Sequence, residues 1–271
     1  MTVNPNFLRN LPGTDIQISA LGLGTVKIGR NEQVKYPSAF TLPDDAVVRT
    51  LLSQARELGI NLIDTAPAYG NSEERLGNLL ENRLDWVIVT KVGEEFAAGK
   101  SAFDFSACHT RASVERSLKR LGTDYLDLVL IHSDGNDEDI LEHSECVEAL
   151  HQCKKLGLIR AIGMSTKTVS GGLKAIAALD VVMLTYNLQQ QDQAVVTLAH
   201  TLGKGVLVKK GLMSGHLHSQ HPDRDILRES IELILTTPGI QSMIAGTINP
   251  QHLAENVALA KAVLAKTSGN A

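Results

Sequence analysis

Eight short apolar runs alternate with longer helical patterns, and this alternation constrains the fold more than any other feature of the sequence. The predicted strands cover residues 19–25, 61–66, 86–92, 125–133, 159–166, 181–187, 205–210 and 242–247. Continuously apolar strands are typical of parallel sheets that are covered on both faces. Eight strand–helix units in 271 residues predict one closed (β/α)₈ barrel, a TIM barrel, over residues 1–271 as a single domain.

Helix start and stop signals agree with this order of elements. Asp44 precedes the helical pattern 44–58, and Asn249 precedes Pro250 at the start of the last pattern, both typical of helix N-termini. Glycine ends four helical patterns just before a strand, at Gly59, Gly122, Gly157 and Gly203. The segment 11–14 (LPGT) predicts an N-terminal β-hairpin ahead of the barrel.

An open, doubly wound sheet is the alternative architecture. It would carry the fingerprint G-x-G-x-x-G after the first strand, and Gly22-Leu-Gly24 lacks the third glycine. We also expect an extended loop, not a helix, to follow Gly24. The sequence therefore favours the barrel.

Composition and charge exclude several classes of partner. A formal net charge of −4 leaves no basic footprint for nucleic acid or anionic lipid. No run of 18 apolar residues predicts a membrane span, and the first residues, 1–6, do not resemble a signal peptide. The three cysteines show no metal-ligand spacing and are expected to be buried or half-buried free thiols. We expect a cytoplasmic protein without a metal site.

Four polar residues fall where the predicted strands end. Asp64 and Tyr69 follow the second strand, Lys91 ends the third and His132 ends the fourth. Taken singly, each has a structural alternative. Asp64 fits a helix cap and Tyr69 a loop aromatic, while Lys91 fits a solvated strand end and His132 a hydrogen-bonded core imidazole. Together they lie at the carboxyl-terminal rim, where TIM barrels build their active sites.

These four side chains form a chemical set. A lysine beside a tyrosine is expected to lower the pKa of the phenol from about 10, and a carboxylate orients the lysine. A nearby histidine can hold a carbonyl oxygen. Because Tyr69 would then give a proton to a developing alkoxide, an electron source is needed, and hydride from a nicotinamide is the simplest supposition.

The residues that carry this chemistry belong to a wider set of motifs. They are 22–25 (GLGT), 63–70 (IDTAPAYG), 72–77 (SEERLG), 89–91 (VTK), 117–127 (SLKRLGTDYLD), 130–132 (LIH), 157–163 (GLIRAIG) with Ser165, 186–187 (YN) and 246–256. In these motifs and in their order along nearly the whole chain, the sequence resembles the aldo-keto reductases.

The resemblance implies a barrel that binds NAD(P)H without a Rossmann domain and interconverts carbonyls and alcohols. It implies Asp64, Tyr69, Lys91 and His132 as the catalytic tetrad, with Tyr69 as general acid. Ser165 would bind the nicotinamide carboxamide. The cofactor-binding residues that it implies are Gly24, Thr25, Ser165, Thr166, Lys209, Lys210, Gly211, Leu212, Ser214, Gly246, Thr247, Asn249, His252, Glu255 and Asn256.

Two departures from the family pattern concern the nicotinamide. Met183 stands where a glutamine often contacts the ring, which puts that contact in doubt. Lys209 and Lys210 stand where many members have a tyrosine and a serine, so the stacking aromatic is missing or comes from elsewhere. The lysines either pair with the cofactor pyrophosphate or are solvated strand-end residues.

A third departure concerns the adenosine end. Gly246, Thr247 and His252 stand where members strict for NADPH often have lysine, serine and arginine. Thr247, Asn249 and free amides of the helix that follows could still hold a phosphate. We expect NADPH, with NADH as the alternative.

Substrate choice is expected to depend on loops. The long connection 26–43 offers Val26, Tyr36 and Phe40 as pocket residues. The acidic segment 134–142 is expected to be either a solvated loop or a barrier to anionic substrates. The last predicted helix is followed by few residues, which suggests an open site.

The leading hypothesis is an NADPH-dependent reductase of small aldehydes, ketones or sugars that acts as a monomer. The first alternative is a sugar dehydrogenase running in the oxidative direction. The second is a regulatory protein that senses NADP(H) with little turnover.

Overall fold

The predicted barrel is confirmed by the fold of the chain. A computed structural model describes residues 7–36, 38–213 and 225–268. Its strands are β1 (Leu8–Asn10), β2 (Gln17–Ser19), β3 (Leu21–Gly24), β4 (Leu62–Asp64), β5 (Val87–Val92), β6 (Glu94–Ala97), β7 (Lys100–Phe103), β8 (Leu126–His132), β9 (Ile159–Ser165), β10 (Val181–Thr185), β11 (Gly205–Lys209) and β12 (Ser242–Ala245). Strands β3, β4, β5, β8, β9, β10, β11 and β12 pair in that order, in parallel, and close on β3.

Helices cover the outside of the barrel. They are α1 (Val26–Gly29), α2 (Asp45–Glu57), α3 (Ser72–Leu79), α4 (Ala107–Leu121), α5 (Asp137–His143), α6 (Cys146–Lys155), α7 (Val169–Ala178), α8 (Gln193–Leu202), α9 (Ile226–Thr236) and α10 (Pro250–Ser268). Asp44 caps α2 by accepting from the Val47 amide at 2.8 Å. Gly122 and Gly203 end α4 and α8 with φ of +62° and +63°, as glycine permits.

The N-terminal hairpin predicted around residues 11–14 is also present, formed by β1 and β2. Its apolar side chains Leu11, Ile16 and Ile18 are buried in one cluster with interior residues of the barrel strands. The hairpin therefore closes the amino-terminal end of the barrel, so that only the opposite end is available for a site.

Alternation along the strands decides which side chains reach that end. The interior cluster contains Leu62, Val89, Leu130, Met183 and Leu207. Two residues further along four of these strands stand Asp64, Lys91, His132 and Lys209. Because strand side chains repeat their direction every two residues, these polar groups form the last interior layer at the carboxyl-terminal rim.

The connection after β3 differs from the prediction. The extended loop expected after Gly24 begins instead with the four-residue helix α1. The Ile28 amide donates to the Thr25 carbonyl at 3.1 Å, and the Arg30 amide donates to the Val26 carbonyl at 2.8 Å. These local hydrogen bonds turn the chain sharply and start the long connection close to the barrel rim.

The acidic segment 134–142 also differs, since much of it forms α5. Asp137 is buried there and accepts hydrogen bonds from the amides of Lys167 and Thr168 at 2.9 and 2.7 Å. Glu138 and Glu142 pair with Lys174 on α7. These three carboxylates are therefore engaged in the fold and do not form a free acidic barrier.

A second hairpin, β6–β7, follows β5 outside the barrel and is absent from the sequence prediction. Its tight turn has positive φ at both central residues, +50° at Ala98 and +73° at Gly99. Such a turn matches the twist of a two-stranded ribbon. The hairpin matters because its first residue, Glu94, points to the barrel rim.

The cysteines are free, as expected, but their burial is only partly as expected. Cys146 and Cys153 are buried on α6, whereas Cys108 is exposed on α4 and contradicts the expectation of a buried thiol. Within the described ranges, no three metal-ligating side chains converge. None of the helices in these ranges is both long and apolar enough to span a bilayer.

Candidate active site

The centre of the site is a buried ion pair between Asp64 at the end of β4 and Lys91 on β5. Lys91 Nζ donates to Asp64 Oδ1 at 2.6 Å and to the Thr65 carbonyl oxygen at 2.8 Å. The side chains of Asp64 and Lys91 are only 6% and 2% exposed. Because charge-assisted hydrogen bonds strengthen where water is excluded, they form one fixed unit, the Asp64–Lys91 pair.

Tyr69, in the loop after β4, lies against this pair. Its hydroxyl donates to Asp64 Oδ2 at 3.4 Å, and Lys91 Nζ lies 4.7 Å from the centroid of its ring. A contact of 3.4 Å is long for an O–H···O hydrogen bond. The phenol is therefore only weakly held by Asp64, and its proton is available to a better acceptor.

The loop that carries Tyr69 is fixed by two glycines that touch through their backbones. A Cβ at Gly70 would lie 2.1 Å from the carbonyl oxygen of Gly29, and a Cβ at Gly29 would lie 2.2 Å from the carbonyl oxygen of Tyr69. Glycine is needed where backbones approach this closely. Arg75 secures the same region by donating to the Ile28 carbonyl oxygen at 2.6 Å.

The pKa of Tyr69 shifts in the direction opposite to the prediction. Burial and then the negative charge of Asp64 raise the pKa of Tyr69 well above its usual value, whereas Lys91 was expected to lower it. The reason is that the charge of Lys91 is compensated by Asp64 directly beside the phenol. Tyr69 therefore keeps its proton at neutral pH, which suits a proton donor.

His132, the last residue of β8, faces Tyr69. Their ring centroids are 6.2 Å apart and the ring planes are nearly perpendicular, at 85°. Burial lowers the pKa of His132, and the charges of Lys91 and Lys209 act in the same direction, while Glu94 opposes them. The four side chains selected at the strand ends are thus gathered around one point of the rim.

Glu94 is the residue of this site that the sequence analysis misses. Its Oε2 lies 2.8 Å from Nδ1 of His132, and its Oε1 accepts from Ser101 Oγ at 2.6 Å. Burial opposes ionisation of Glu94, but His132, Ser101 and Arg30 outweigh it and lower the pKa of Glu94 to about 2. Only the β6–β7 hairpin brings this carboxylate to the rim, and the sequence signal for that hairpin is short.

Lys209 occupies the region expected to bind the nicotinamide carboxamide. Its Nζ donates to Ser165 Oγ at 2.8 Å and to the Thr166 carbonyl oxygen at 2.6 Å. Burial, reinforced by the positive charge of Lys210, lowers the pKa of Lys209 to about 7. Lys209 is therefore half-buried and hydrogen-bonded, so it is not a solvated strand-end residue. It also cannot replace the aromatic ring that stacks on the nicotinamide in many family members.

The residues present at this end fit a carboxamide group. Thr166 Oγ1 is buried and has no hydrogen-bond partner among the described residues. Ser165 Oγ, bonded to Lys209, retains its own proton as a donor. Met183 is buried beside Ser165 in the barrel interior and offers no amide. A nicotinamide would thus find polar partners in Ser165, Thr166 and Lys209.

A group of lysines surrounds the end of β11. Burial lowers the pKa of Lys210, and the charges of Lys35 and Lys167 add to this effect. Lys167 and Lys210 likewise lower the pKa of Lys209. Lysines that lower one another's pKa form a local excess of positive charge, which suits a phosphate-rich ligand.

The neighbouring candidates Gly211 and Leu212 have packing roles in the fold. Gly211 is buried, and a Cβ there would lie 2.6 Å from the sulfur of Met243. Leu212 packs against the hydrophobic core. Ser214, another expected cofactor residue, lies outside the described residues.

The candidates after β3 support the Asp64–Lys91 pair. Thr25 Oγ1 donates to the Asp64 carbonyl oxygen at 2.8 Å and accepts from Ser72 Oγ at the same distance. Gly24 lies against β12, where a Cβ would be 3.0 Å from Ile244 Cγ2, and 3.4 Å from Cα of Gly246, the residue that follows this strand. Thr25 is buried, so its main visible role is to fix the backbone of Asp64.

The expected adenosine end differs from the prediction in one respect. The amides of Gln251 and His252 are not free, because both donate to Asn249 Oδ1, at 2.8 and 3.4 Å. The Asn249 amide in turn donates to Thr247 Oγ1 at 3.1 Å. A phosphate at this helix start would have to replace the Asn249 side chain.

Three further candidates share this side of the rim. His252 and Glu255 are exposed on α10, whereas Asn256 is buried. These positions leave the side chains of His252 and Glu255 accessible to a ligand. The structure does not bring them into contact with the tetrad.

The proposed pocket residues lie on the connection after α1. Tyr36 and Phe40 meet edge to face with ring centroids 5.7 Å apart, and Lys27 Nζ lies 4.0 Å from the centroid of Tyr36. Burial and the charge of Asp64 raise the pKa of Tyr36 to about 12. Tyr36 thus lies near the tetrad, while Val26 is half-buried in the first turn of α1.

Comparison with known proteins shows the family to which the chain is similar. The model of the aldo/keto reductase family matches residues 20–233. A solved structure from Pseudomonas aeruginosa, provisionally named an aldo-keto reductase, is 55% identical, covers 95% of both chains and superposes with a TM-score of 0.87. L-galactose dehydrogenase of Arabidopsis thaliana is 28% identical over 93% of this chain and 87% of its own. NADH-specific methylglyoxal reductase of Escherichia coli is 30% identical over 74% of this chain and 67% of its own. The chain therefore belongs to the aldo/keto reductase family and is an oxidoreductase of that family.

Proposed function

We propose that this protein is an NAD(P)H-dependent reductase of small aldehydes and ketones in which Tyr69 donates the proton. The observation that carries the proposal is the state of Tyr69. It is a half-buried phenol whose pKa is raised, and among the described residues its hydroxyl makes one long hydrogen bond, of 3.4 Å, to Asp64. A protonated donor that is loosely held is what carbonyl reduction needs.

Each residue of the site has a separate role in carbonyl reduction. His132 in its charged form donates to the carbonyl oxygen and holds it near Tyr69, and Tyr69 gives its proton to that oxygen as negative charge develops on it. The Asp64–Lys91 pair keeps Tyr69 in place and supplies a positive charge within 4.7 Å of its ring. A bound nicotinamide coenzyme supplies the hydride.

The lysine group at the end of β11 supports a coenzyme with phosphates. Lys209 and Lys210 stand where positive charge could meet a pyrophosphate, with Lys35 and Lys167 close by. We propose NADPH as the preferred coenzyme and NADH as the alternative. The relative named an NADH-specific methylglyoxal reductase favours the alternative, so a direct comparison of both coenzymes is required.

A second candidate is oxidation of a sugar by the same site. It is favoured by the relative named L-galactose dehydrogenase, which matches 93% of this chain. It is disfavoured by the raised pKa of Tyr69, because oxidation of an alcohol needs a phenolate as base. Sugar oxidation is therefore expected to need a higher pH than carbonyl reduction.

The test is a fluorescence titration with NADPH and NADH, followed by steady-state assays with methylglyoxal, simple ketones and aldoses in both directions. Coenzyme binding with carbonyl turnover supports the reductase. Turnover of aldoses alone supports the dehydrogenase. Tight coenzyme binding without turnover of either class contradicts both and leaves a protein that senses NADP(H).

A further inference from the structure

A carboxylate from outside the barrel lies against the histidine of the site. Gly93, with a φ of +98°, turns the chain directly after β5, and Glu94 is the next residue. Glu94 Oε2 lies 2.8 Å from Nδ1 of His132, while Ser101 holds Oε1 at 2.6 Å. Both oxygens of Glu94 are therefore engaged within the rim.

The position of Glu94 is itself secured. Its side chain is 13% exposed, and it opens β6, which pairs with β7 from Glu94 to Phe103. The guanidinium of Arg30 lies 3.4 Å from the ring centroid of Phe96 on the same strand. Ser101 belongs to the opposite strand of this hairpin. Glu94 is thus fixed by the β6–β7 hairpin to which it belongs.

This contact constrains the protons of His132. An ionised carboxylate oxygen at 2.8 Å repels a lone pair on Nδ1 and attracts an N–H there. The alignment falls outside hydrogen-bond geometry, so the constraint comes mainly from charge. Since burial lowers the pKa of His132 and Glu94 stays ionised, a neutral imidazole keeps its single proton on Nδ1.

We propose that Glu94 is a positioning residue that fixes a proton on Nδ1 of His132, so that Nε2 accepts a hydrogen bond when the imidazole is neutral and donates one only when it is charged. The proposal rests on the proposed function for its catalytic meaning. A carbonyl oxygen needs a donor, whereas an alcohol hydroxyl needs an acceptor. Glu94 would thereby couple the favoured direction of reaction to the protonation of His132.

The sign of the pH dependence follows. Below the pKa of His132 both ring nitrogens carry protons, so Nε2 donates and carbonyl reduction is favoured. Above it Nε2 carries a lone pair, so alcohol oxidation is favoured. The charged groups that act on His132 are Glu94 on β6, Lys91 on β5 and Lys209 on β11. The ring of Tyr69 also faces His132 and is bonded to Asp64 at the end of β4, while Arg30 acts on Glu94.

The direct test is the state of the ring, read from long-range ¹H–¹⁵N correlation spectra of full-length protein labelled at histidine. A His132→Gln variant assigns the signal. We expect the Nδ1–H form of neutral His132 in the wild type and the Nε2–H form in Glu94→Ala. The matched control is Glu95→Ala on the same hairpin, because Glu95 contacts Arg116 and His109 instead.

A neutral His132 with its proton on Nε2 in the wild type overturns the proposal, as does an unchanged state in Glu94→Ala. Spectra are independent of turnover, so a protein without reductase activity can still show the expected Nδ1–H form. The wild-type spectrum is decisive even if Glu94→Ala fails to fold.

The pH dependence of kcat tests whether Glu94 influences the direction of the reaction. In the wild type, kcat for carbonyl reduction should fall about tenfold for each pH unit above the pKa of His132. In Glu94→Ala this fall should disappear, because a neutral ring can then carry its proton on Nε2. Identical pH profiles of the two proteins would overturn the coupling between Glu94 and the direction of reaction.

Discussion

Lys209 donates a hydrogen bond of 2.8 Å to Ser165, the residue that the family pattern assigns to the nicotinamide carboxamide. The contact links β11 to β9 across the rim and gives one side chain two roles. In the proposed function, Lys209 orients Ser165 and supplies a positive charge to the coenzyme. Because burial lowers its pKa to about 7, this charge changes within the physiological pH range.

Coenzyme affinity is therefore predicted to depend on pH through Lys209. Its pKa is lowered, so the amine is charged below about pH 7 and attracts phosphates there, and it loses this charge as pH rises. We expect the Kd for NADPH to rise several-fold, up to about tenfold, between pH 6 and pH 8.5. Fluorescence titration should show this rise in the wild type and a much flatter profile in Lys209→Met.

Lys204→Met is the control. Lys204 directly precedes β11, at the opposite end of that strand from Lys209, and donates to the Ala177 carbonyl oxygen. It should keep the wild-type pH profile. A Kd that is constant with pH in the wild type, or that varies equally in Lys209→Met, would show that Lys209 does not act on the coenzyme.

The Asp64–Lys91 pair predicts a double-mutant cycle. Lys91→Met leaves Asp64 buried without its counter-charge, and Asp64→Asn does the same to Lys91. Each single variant should lower the free energy of unfolding by about 3–5 kcal/mol. The double variant should recover part of this stability but none of the activity. Urea denaturation measures the free energy of unfolding of each variant. If the loss in the double variant equals the sum of the losses in the two single variants, the pair is not coupled.

The contact between Gly29 and Gly70 predicts that Gly70→Ala disturbs Tyr69. Gly70 and Gly122 have nearly the same φ, +63° and +62°. A Cβ at Gly70 would lie 2.1 Å from a carbonyl oxygen, whereas one at Gly122 would meet nothing within 4 Å. Gly122→Ala should therefore lower the free energy of unfolding by about 1 kcal/mol, through backbone strain alone.

Gly70→Ala should cost at least about 2 kcal/mol more and should lower kcat strongly, while Gly122→Ala leaves kcat unchanged. Thermal denaturation and steady-state kinetics of the two variants provide the comparison. Equal losses of stability would show that the clash relaxes freely and that Gly70 does not position Tyr69.

The barrel and the position of the tetrad follow from periodicity, which a sequence carries directly. Apolar runs fix the strands, and the two-residue repeat places Asp64, Lys91 and His132 one layer beyond the apolar interior. Tyr69 follows from its place in the loop after a strand end. These features need only local patterns and the rule that parallel strand ends share one rim.

Other features depend on contacts between distant segments. Glu94 reaches His132 through a hairpin of four-residue strands, too short for a clear alternation. The pKa of Tyr69 depends on the burial of its ring and on the hydrogen bond by which Lys91 pairs with Asp64. The amides at the start of α10 are taken by the side chain of Asn249. Each of these outcomes is decided by the folded neighbourhood.

The central claim is that Tyr69 gives the proton, and Tyr69→Phe tests it most directly. The variant keeps the ring over Lys91 and removes only the hydroxyl. Tyr125→Phe is the control, since Tyr125 lies just before β8 beside Arg83, away from the rim. The measurement is kcat for carbonyl reduction together with the Kd for NADPH. We predict that Tyr69→Phe lowers kcat by about 10²–10⁴ with the Kd nearly unchanged, while Tyr125→Phe alters neither. A Tyr69→Phe enzyme that retains wild-type kcat would contradict the account.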